Sequence, residues 1–310
     1  MIKRTLYFGN PSYLSLQNDQ LVLKYPEVEK NDTLPDTFKQ QNATTIPIED
    51  VGVVILDHKQ ITITQALLKK LLENNCAVIT CDSRRMPSGL FLPLEVNSLQ
   101  EERFDIQINA SLPLKKQLWQ QTVIRKIENQ AAVLQSHTGQ DAGRLSMLAR
   151  NVKSGDVTNM EAVAASYYWT HLFPDLPNFT RNRDGDYPNN LLNYGYAILR
   201  ALVARALVAS GLLPTFGIHH RNRYNAYCLA DDIMEPYRPY VDAYVIKLMR
   251  DFPEEKELSK SIKSALLQLP VCDVTIQEHR SPLMVAVGTT AASLFKCYSG
   301  QSKKIAYPKI

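Results

Sequence analysis

The hydrophobic pattern of the chain changes its period once. Up to about residue 95, short apolar runs alternate with turn residues, the mark of β-strands. Residues 5–8, 20–25, 46–48 leading into 51–56, 77–81 and 89–94 are the predicted strands. Asn18-Asp19 lies between the first two runs as a turn signal and predicts a hairpin joining them. One helix is expected here. Thr64 stands as its N-cap, apolar residues repeat at helical spacing over 65–72, and Asn74-Asn75 closes it.

After Asn97-Ser98 the period becomes helical. Leu114, Leu118, Val123, Ile127, Ala131 and Leu134 fall near i, i+4 steps and mark one face of a long amphipathic helix. Residues 190–210 are alanine-rich and apolar nearly all round, as a helix buried inside a bundle would be; Gly211 and Pro214 stop it. Further helices are expected over 242–249 and 257–269. No internal repeat is visible. The pattern predicts an α+β fold, with a β-rich domain over residues 1–97 and a larger all-α helical domain over 98–310.

A chain of 310 residues has room for two hydrophobic cores. No stretch approaches the roughly 18 consecutive apolar residues of a membrane span, and the N-terminus runs straight into a strand pattern rather than a signal peptide. A cytoplasmic protein without a membrane partner is therefore expected. Cys76, Cys81, Cys228, Cys272 and Cys297 are odd in number, scattered and without C-x-x-C spacing, so buried thiols in a reducing compartment fit better than zinc or disulfides. The net charge of +4 is too small to argue for nucleic acid on its own. Phosphate-loop, dinucleotide, H-E-x-x-H and G-x-S-x-G motifs are absent. Any catalytic groups must come from dispersed positions.

One such constellation stands out. Gly217-Ile218-His219-His220 is followed by Arg221-Asn222-Arg223 and then by Asp231-Asp232-Ile233-Met234-Glu235-Pro236. In a helix, Asp231 and Glu235 are i, i+4 and Asp232 and Glu235 are i, i+3, so the three carboxylates are expected to share a face. Like charges so placed repel, and a cation among them reverses the sign. Carboxylates with one imidazole suit Mg²⁺ or Mn²⁺. On spacing alone, a solvated acidic face and surface histidines account for the run as well. Upstream, Thr158 or Asn159 can cap a helix whose first turn carries Glu161, followed by the small residues Ala164-Ala165.

Gly155-Asp156…Asn159…Glu161…Ala164-Ala165, Asn190…Asn193-Tyr194-Gly195-Tyr196, Gly217-Ile218-His219-His220 and Asp231-Asp232…Glu235-Pro236-Tyr237-Arg238-Pro239 follow one another in a single order. This order resembles the CRISPR-associated adaptation integrases, the Cas one family, and its type II branch in particular. Ile46-Pro47-Ile48-Glu49-Asp50-Val51 and Met86-Pro87-Ser88-Gly89 resemble the N-terminal part of that family. The resemblance implies that Glu161, His220 and Glu235 are catalytic and ligate the divalent metal. The Gly-x-x-His pattern selects His220 over His219, Asp232 is implied as a supporting carboxylate, and Asp231 is left as structural.

The resemblance further implies phosphodiester transesterification: a 3′-hydroxyl of foreign DNA attacks a phosphate at the end of a CRISPR repeat. With water as nucleophile the same site is a nuclease. Expected DNA contacts are Arg221 and Arg223 beside His220, Arg181 and Arg183, and Arg144, Arg150 and Lys153, with Tyr13 as the counterpart of a duplex-bracing ring. Lys303 and Lys304 are read as solvated. The implied partners are DNA, a second copy of the chain joined through the β-rich domain, the small ferredoxin-like adaptation protein (Cas two) and other type II CRISPR proteins. Two rival readings are a stand-alone metal-dependent nuclease of DNA repair and a non-catalytic DNA-binding scaffold.

Overall fold

The computed structural model describes residues 3–93, 98–140 and 142–310. Two compact units make up the chain, Met1–Val96 and Asn97–Ile310. The boundary expected at residue 97, and the end of the strand expected over 89–94, lie outside the described residues.

The first unit contains β1 (Arg4–Phe8), β2 (Ser12–Gln17), β3 (Gln20–Lys24), α1 (Pro26–Glu29), α2 (Asp36–Gln41), β4 (Thr44–Pro47), β5 (Val51–Leu56), β6 (Ile61–Ile63), α3 (Gln65–Glu73), β7 (Ala77–Cys81) and β8 (Pro87–Phe91). One sheet has the order β1-β5-β7-β8, with β1, β5 and β7 parallel and β8 antiparallel at the edge. Val51, Val53, Val54 and Ile55 are all buried because β5 lies inside this sheet, which is why its sequence is continuously apolar. The second sheet has the order β4-β3-β2-β6. Leu67 and Leu71 of α3 join Leu6, Val54 and Val78 from one sheet and Leu14 and Leu21 from the other in a common core. Thr64 caps α3 as expected, its Oγ1 accepting the Leu67 amide at 3.4 Å.

Two expectations for this unit fail. The Asn18-Asp19 turn, both residues at positive φ, joins β3 to β2 rather than to the run at 5–8. Gly9-Asn10-Pro11 breaks the chain after β1, which crosses to the other sheet and pairs with β5. The unit also has α1 and α2 besides the single helix expected, each too short to display a period.

The second unit contains α4 (Gln100–Ile108), α5 (Leu112–Thr138), α6 (Gly143–Arg150), α7 (Met160–Leu172), α8 (Asn189–Ala209), α9 (Cys228–Met234), α10 (Arg238–Asp251), α11 (Lys260–Leu266), β9 (Asp273–Ile276), β10 (His279–Pro282) and α12 (Leu283–Tyr298). It is not all-α: β9 and β10 pair antiparallel across Gln277-Glu278. Both turn residues have positive φ, and neither is a residue type that announces such a turn. By length and composition α8 could cross a membrane, yet two-thirds of its apolar window is buried, and it packs on α9, α10 and α12.

α5 organises this unit. Its 27 residues span roughly 40 Å and pack against α6, α7 and α10. Inside its apolar face runs a buried polar stripe, Thr122, Lys126, Asn129 and Gln130, at helical spacing. Asn129 Nδ2 donates to the Pro236 carbonyl at 2.8 Å and so ties α5 to the turn that follows α9.

Candidate active site

Glu161 enters on the first turn of α7, and the turn before that helix is left-handed at three places: Gly155 (φ 73°), Asp156 (φ 49°) and Asn159 (φ 52°). Gly155 takes its left-handed φ without strain, and an added Cβ would lie 3.0 Å from Lys116 Cγ, crowding that side chain. The cap is Asp156, not Thr158 or Asn159 as the sequence suggested. Its carboxylate accepts the amides of Met160 at 2.8 Å and Glu161 at 3.0 Å, placing a negative charge at the helix N-terminus. Asn159 makes no side-chain cap because the left-handed turn carries it past the position from which a cap accepts.

Glu235 arrives from the other side. It opens a 3₁₀ turn, Glu235–Tyr237, between α9 and α10, and Asn129 holds that turn through the Pro236 carbonyl. Arg238 Nε donates to Glu235 Oε1 at 2.7 Å. Between the two carboxylates sits Lys126 of α5, its ammonium 2.6 Å from Glu161 Oε1 and 2.6 Å from Glu235 Oε2. The first contact is a hydrogen bond. The second is a charge-assisted contact of the same length, and it helps to hold the Glu235 carboxyl down. Burial pushes the Glu235 carboxyl up, but Arg238 and Lys126 outweigh it and hold it at about 2. Burial likewise works against the Lys126 charge, and Glu235 and Glu161 overcome it, so its pKa is raised. Glu161, Glu235, Lys126 and Arg238 thus form a neutral quartet of paired charges.

The histidine pair is fixed by one carboxylate. Fully buried Asp232 accepts the His219 amide at 2.9 Å, the His220 amide at 3.3 Å and His220 Nδ1 at 2.5 Å. A neutral His220 in that bond carries its proton on Nδ1 and its lone pair on Nε2. The hydrogen bond to Asp232 raises the His220 pKa, while burial raises that of Asp232. The two directions agree physically: the carboxylate bears the desolvation, and the half-exposed imidazole keeps the proton. Gly217 is needed for this packing, since a Cβ there would lie 2.4 Å from the His220 carbonyl and 2.8 Å from Asp232 Oδ2. His219 lies flat on Trp119 of α5, ring centroids 4.3 Å apart and 4° from parallel. Burial and the neighbouring His220 lower its pKa.

The three carboxylates expected on one helical face do not share one. Asp231 turns away to Arg200, with contacts of 2.6 and 3.0 Å, and to Asn225 at 2.7 Å. Asp232 faces His220, and Glu235 has left α9 for the 3₁₀ turn, whose different twist points it at Lys126. Among the described residues, no three His, Cys, Asp or Glu side chains close on a single point: Lys126 stands between two of the expected ligands and Asp232 holds the third. The donor set nevertheless suits a divalent cation. Two carboxylates already converge on one positive charge, and a half-exposed imidazole stands close enough for both to act on its pKa.

Of the expected DNA contacts, Arg221 and Arg223 are exposed in the loop after His220. Arg223 lies over the ring of Tyr224, itself 81% exposed. The Arg221 charge helps, after burial, to lower the pKa of Lys115, so a third cation adjoins that loop. Arg183 and Arg150 are also exposed. Arg181 is occupied inside the unit: it donates to Asn189 and Asn193 and lies over Tyr196. With Lys126, Gln130, Trp169, Tyr196, Glu235, Arg238 and Asp242 it lines a cleft of about 130 Å³ beside Glu235. Arg144 covers Tyr167. Tyr13 belongs to β2 in the other unit, paired with Lys24 and Thr62.

Sequence reasoning missed Lys126, Arg238, Asp156 and Trp119. The polar stripe inside the α5 apolar face was the available signal for Lys126, and the three-residue step from Glu235 was the signal for Arg238.

Comparison with known proteins places these residues in a family context. The family profile of the CRISPR associated protein Cas1 matches residues 7–268. The CRISPR-associated endonuclease Cas1 of Neisseria meningitidis is 39% identical over 297 residues, covering 94% of this chain and 91% of that protein. In fold, the chain resembles a casposase solved bound to integration product (TM-score 0.77, 20% identity, 98% of this chain and 92% of the other). It also resembles a chain of a Cas6-RT-Cas1–Cas2 complex (TM-score 0.72, 21% identity, 97% of this chain and 35% of the other).

Proposed function

Because the chain belongs to the CRISPR-associated Cas1 family, we propose that it is a divalent-metal-dependent DNA endonuclease and integrase that inserts foreign DNA at the ends of CRISPR repeats. The observation that carries this reading is the convergence of Glu161 and Glu235 on one cation beside the His220–Asp232 pair. Glu161, Glu235 and the Nε2 of His220 would hold Mg²⁺ or Mn²⁺. When bound, that ion supplies Lewis-acid stabilisation of charge on the scissile phosphate and on the attacking and leaving oxygens. Asp232 keeps His220 oriented with its proton on Nδ1, and Asp156 sets the height of Glu161 through the cap of α7. Arg238 keeps Glu235 ionised.

In strand transfer a 3′-hydroxyl attacks the phosphorus and the 3′-oxygen of the cut strand leaves; with water as nucleophile the outcome is cleavage. Exposed Arg221 and Arg223, with half-buried Lys115 next to them, form a basic rim beside His220 suited to backbone phosphates. Two attacks on opposite strands need two sites held a repeat apart. That requirement supports a second copy of the chain and the small Cas2 partner, in keeping with the Cas6-RT-Cas1–Cas2 complex, one chain of which is similar in fold. Other type II adaptation proteins are proposed on the sequence resemblance alone.

The test is an integration assay with purified protein on a plasmid bearing a CRISPR array, with and without the small partner, in Mg²⁺ or Mn²⁺. Glu161→Ala, His220→Ala and Glu235→Ala should each abolish strand transfer. Full activity in any of them would overturn the ligand set, and cleavage without integration in the presence of the partner would favour the stand-alone nuclease.

A further inference from the structure

Lys126 occupies the position between the carboxylates, and the cleft beside it holds a buried acceptor without a donor. The ammonium has three N–H donors, and Glu161 Oε1 and Glu235 Oε2, each at 2.6 Å, engage two of them. One turn further along α5, Gln130 is 2% exposed and its Oε1 has no hydrogen-bond partner. Side chains four apart on a helix are neighbours, and Lys126 and Gln130 line the same cleft of about 130 Å³. Asp242 lines it too, its carboxylate already accepting the hydroxyls of Tyr168 and Tyr196. The ammonium therefore has one donor beyond its two carboxylates, and the cleft that Lys126 lines also holds an unpaired acceptor and a further carboxylate.

We propose that Lys126 is a displaceable cation. Its ammonium holds Glu161 and Glu235 together until a divalent ion takes that place, and then moves into the adjoining cleft, where Gln130 Oε1 accepts it and Asp242 offsets its charge. This rests on the metal reading above and deepens it, because it explains why the ligands stand apart in the structure. It needs no change of protonation, since the ammonium stays charged in both positions. Charge arithmetic favours the move: the quartet is neutral as it stands, a divalent ion added beside an unmoved Lys126 would leave two excess positive charges among the ligands, and moving Lys126 towards Asp242 lowers that excess to one. Lys126 is thus a positioning residue that sets the threshold for metal binding.

Mn²⁺ binding to the full chain without DNA, read by electron paramagnetic resonance of the free ion, tests this. Lys126→Met should bind Mn²⁺ about tenfold more tightly or better, because the competing charge is gone. Gln130→Met removes only the receiving acceptor and should weaken binding by about tenfold. In the Lys126→Met background, Gln130→Met should change nothing. Equal or weaker binding by Lys126→Met would mean that the ammonium merely braces the ligands, and the proposal falls. It falls equally if Gln130→Met has no effect, or has the same effect in both backgrounds. Should Lys126→Met fail to fold by circular dichroism, Gln130→Met in the native background decides alone. If neither the native chain nor any variant binds Mn²⁺, the metal reading falls as well, a result distinct from binding that is insensitive to Lys126.

Discussion

Asp232→Asn removes one charge from the histidine pair while keeping its shape. The native carboxylate accepts from two amides and one imidazole nitrogen, at 2.9, 3.3 and 2.5 Å. Asparagine offers one carbonyl oxygen and an NH₂, so at least one of the three donors comes to face another donor. Hydrogen bonds to a charged acceptor contribute about 1.5–3 kcal/mol and neutral ones about 0.5–1.5. Burial already disfavours the Asp232 charge, and its removal offsets part of the loss. A net destabilisation of about 2 kcal/mol is expected in urea unfolding.

The variant has a second signature in the imidazole. The Asp232 bond raises the His220 pKa above its ordinary 6.5 against the effect of burial. A raised histidine stabilises the fold fully below pH 6.5, and that contribution fades as pH climbs through the raised value. The stability gap between native chain and variant should therefore be wider at pH 5.5 than at pH 8.5. The His220 titration followed by ¹⁵N NMR should move to lower pH, and Mn²⁺ affinity should drop by about 10- to 100-fold. An unmoved titration together with unchanged Mn²⁺ affinity would refute the claim that Asp232 orients this ring.

Three further outcomes follow from the same geometry. Burial pushes the Asp242 carboxyl up to about 6, against the hydrogen bonds of Tyr196 and Tyr168; the native fold then holds a proton that the unfolded chain has released, and loses stability as pH rises from about 4 through 6. Asp242→Asn escapes that loss, so its stability relative to the native chain should improve by up to about 3 kcal/mol between pH 4 and 7.5 in urea titrations; a pH-independent difference would rule this out. Asp156→Ala removes both accepted amides at the start of α7 and should cost about 1–2 kcal/mol in thermal unfolding with a fall in strand transfer, whereas normal activity would show that Glu161 does not depend on the cap. Arg221→Ala with Arg223→Ala should reduce the slope of log affinity for duplex DNA against log salt by about two, and an unchanged slope would remove both from the DNA contacts.

The strands of the first unit and the long helices of the second were legible because burial on one face writes a period of 2 or 3.6 into the sequence. α1, α2 and the β9–β10 hairpin were not, being shorter than any period or turned by Gln277-Glu278 against type. At the site, Glu161, His220 and Glu235 came from a resemblance in order and wording. The local argument from helical spacing misplaced Asp231, because it assumed that α9 runs through Glu235. The chain leaves the α-helix there, ahead of Pro236, and Arg200 captures Asp231. Lys126 was hidden for a different reason. A lysine among apolar neighbours reads as a snorkelling surface residue until two distant carboxylates are known to meet it.

The charge balance of the quartet changes how a conventional alanine scan of this cluster would read. Removing any one member leaves its opposite number uncompensated in a desolvated place, so every single replacement carries an electrostatic penalty unrelated to what that member does. Matched replacements, such as Glu161→Gln with Lys126→Met, keep the total at zero. The difference between matched and unmatched variants then separates what each group contributes to chemistry from what it contributes to neutrality.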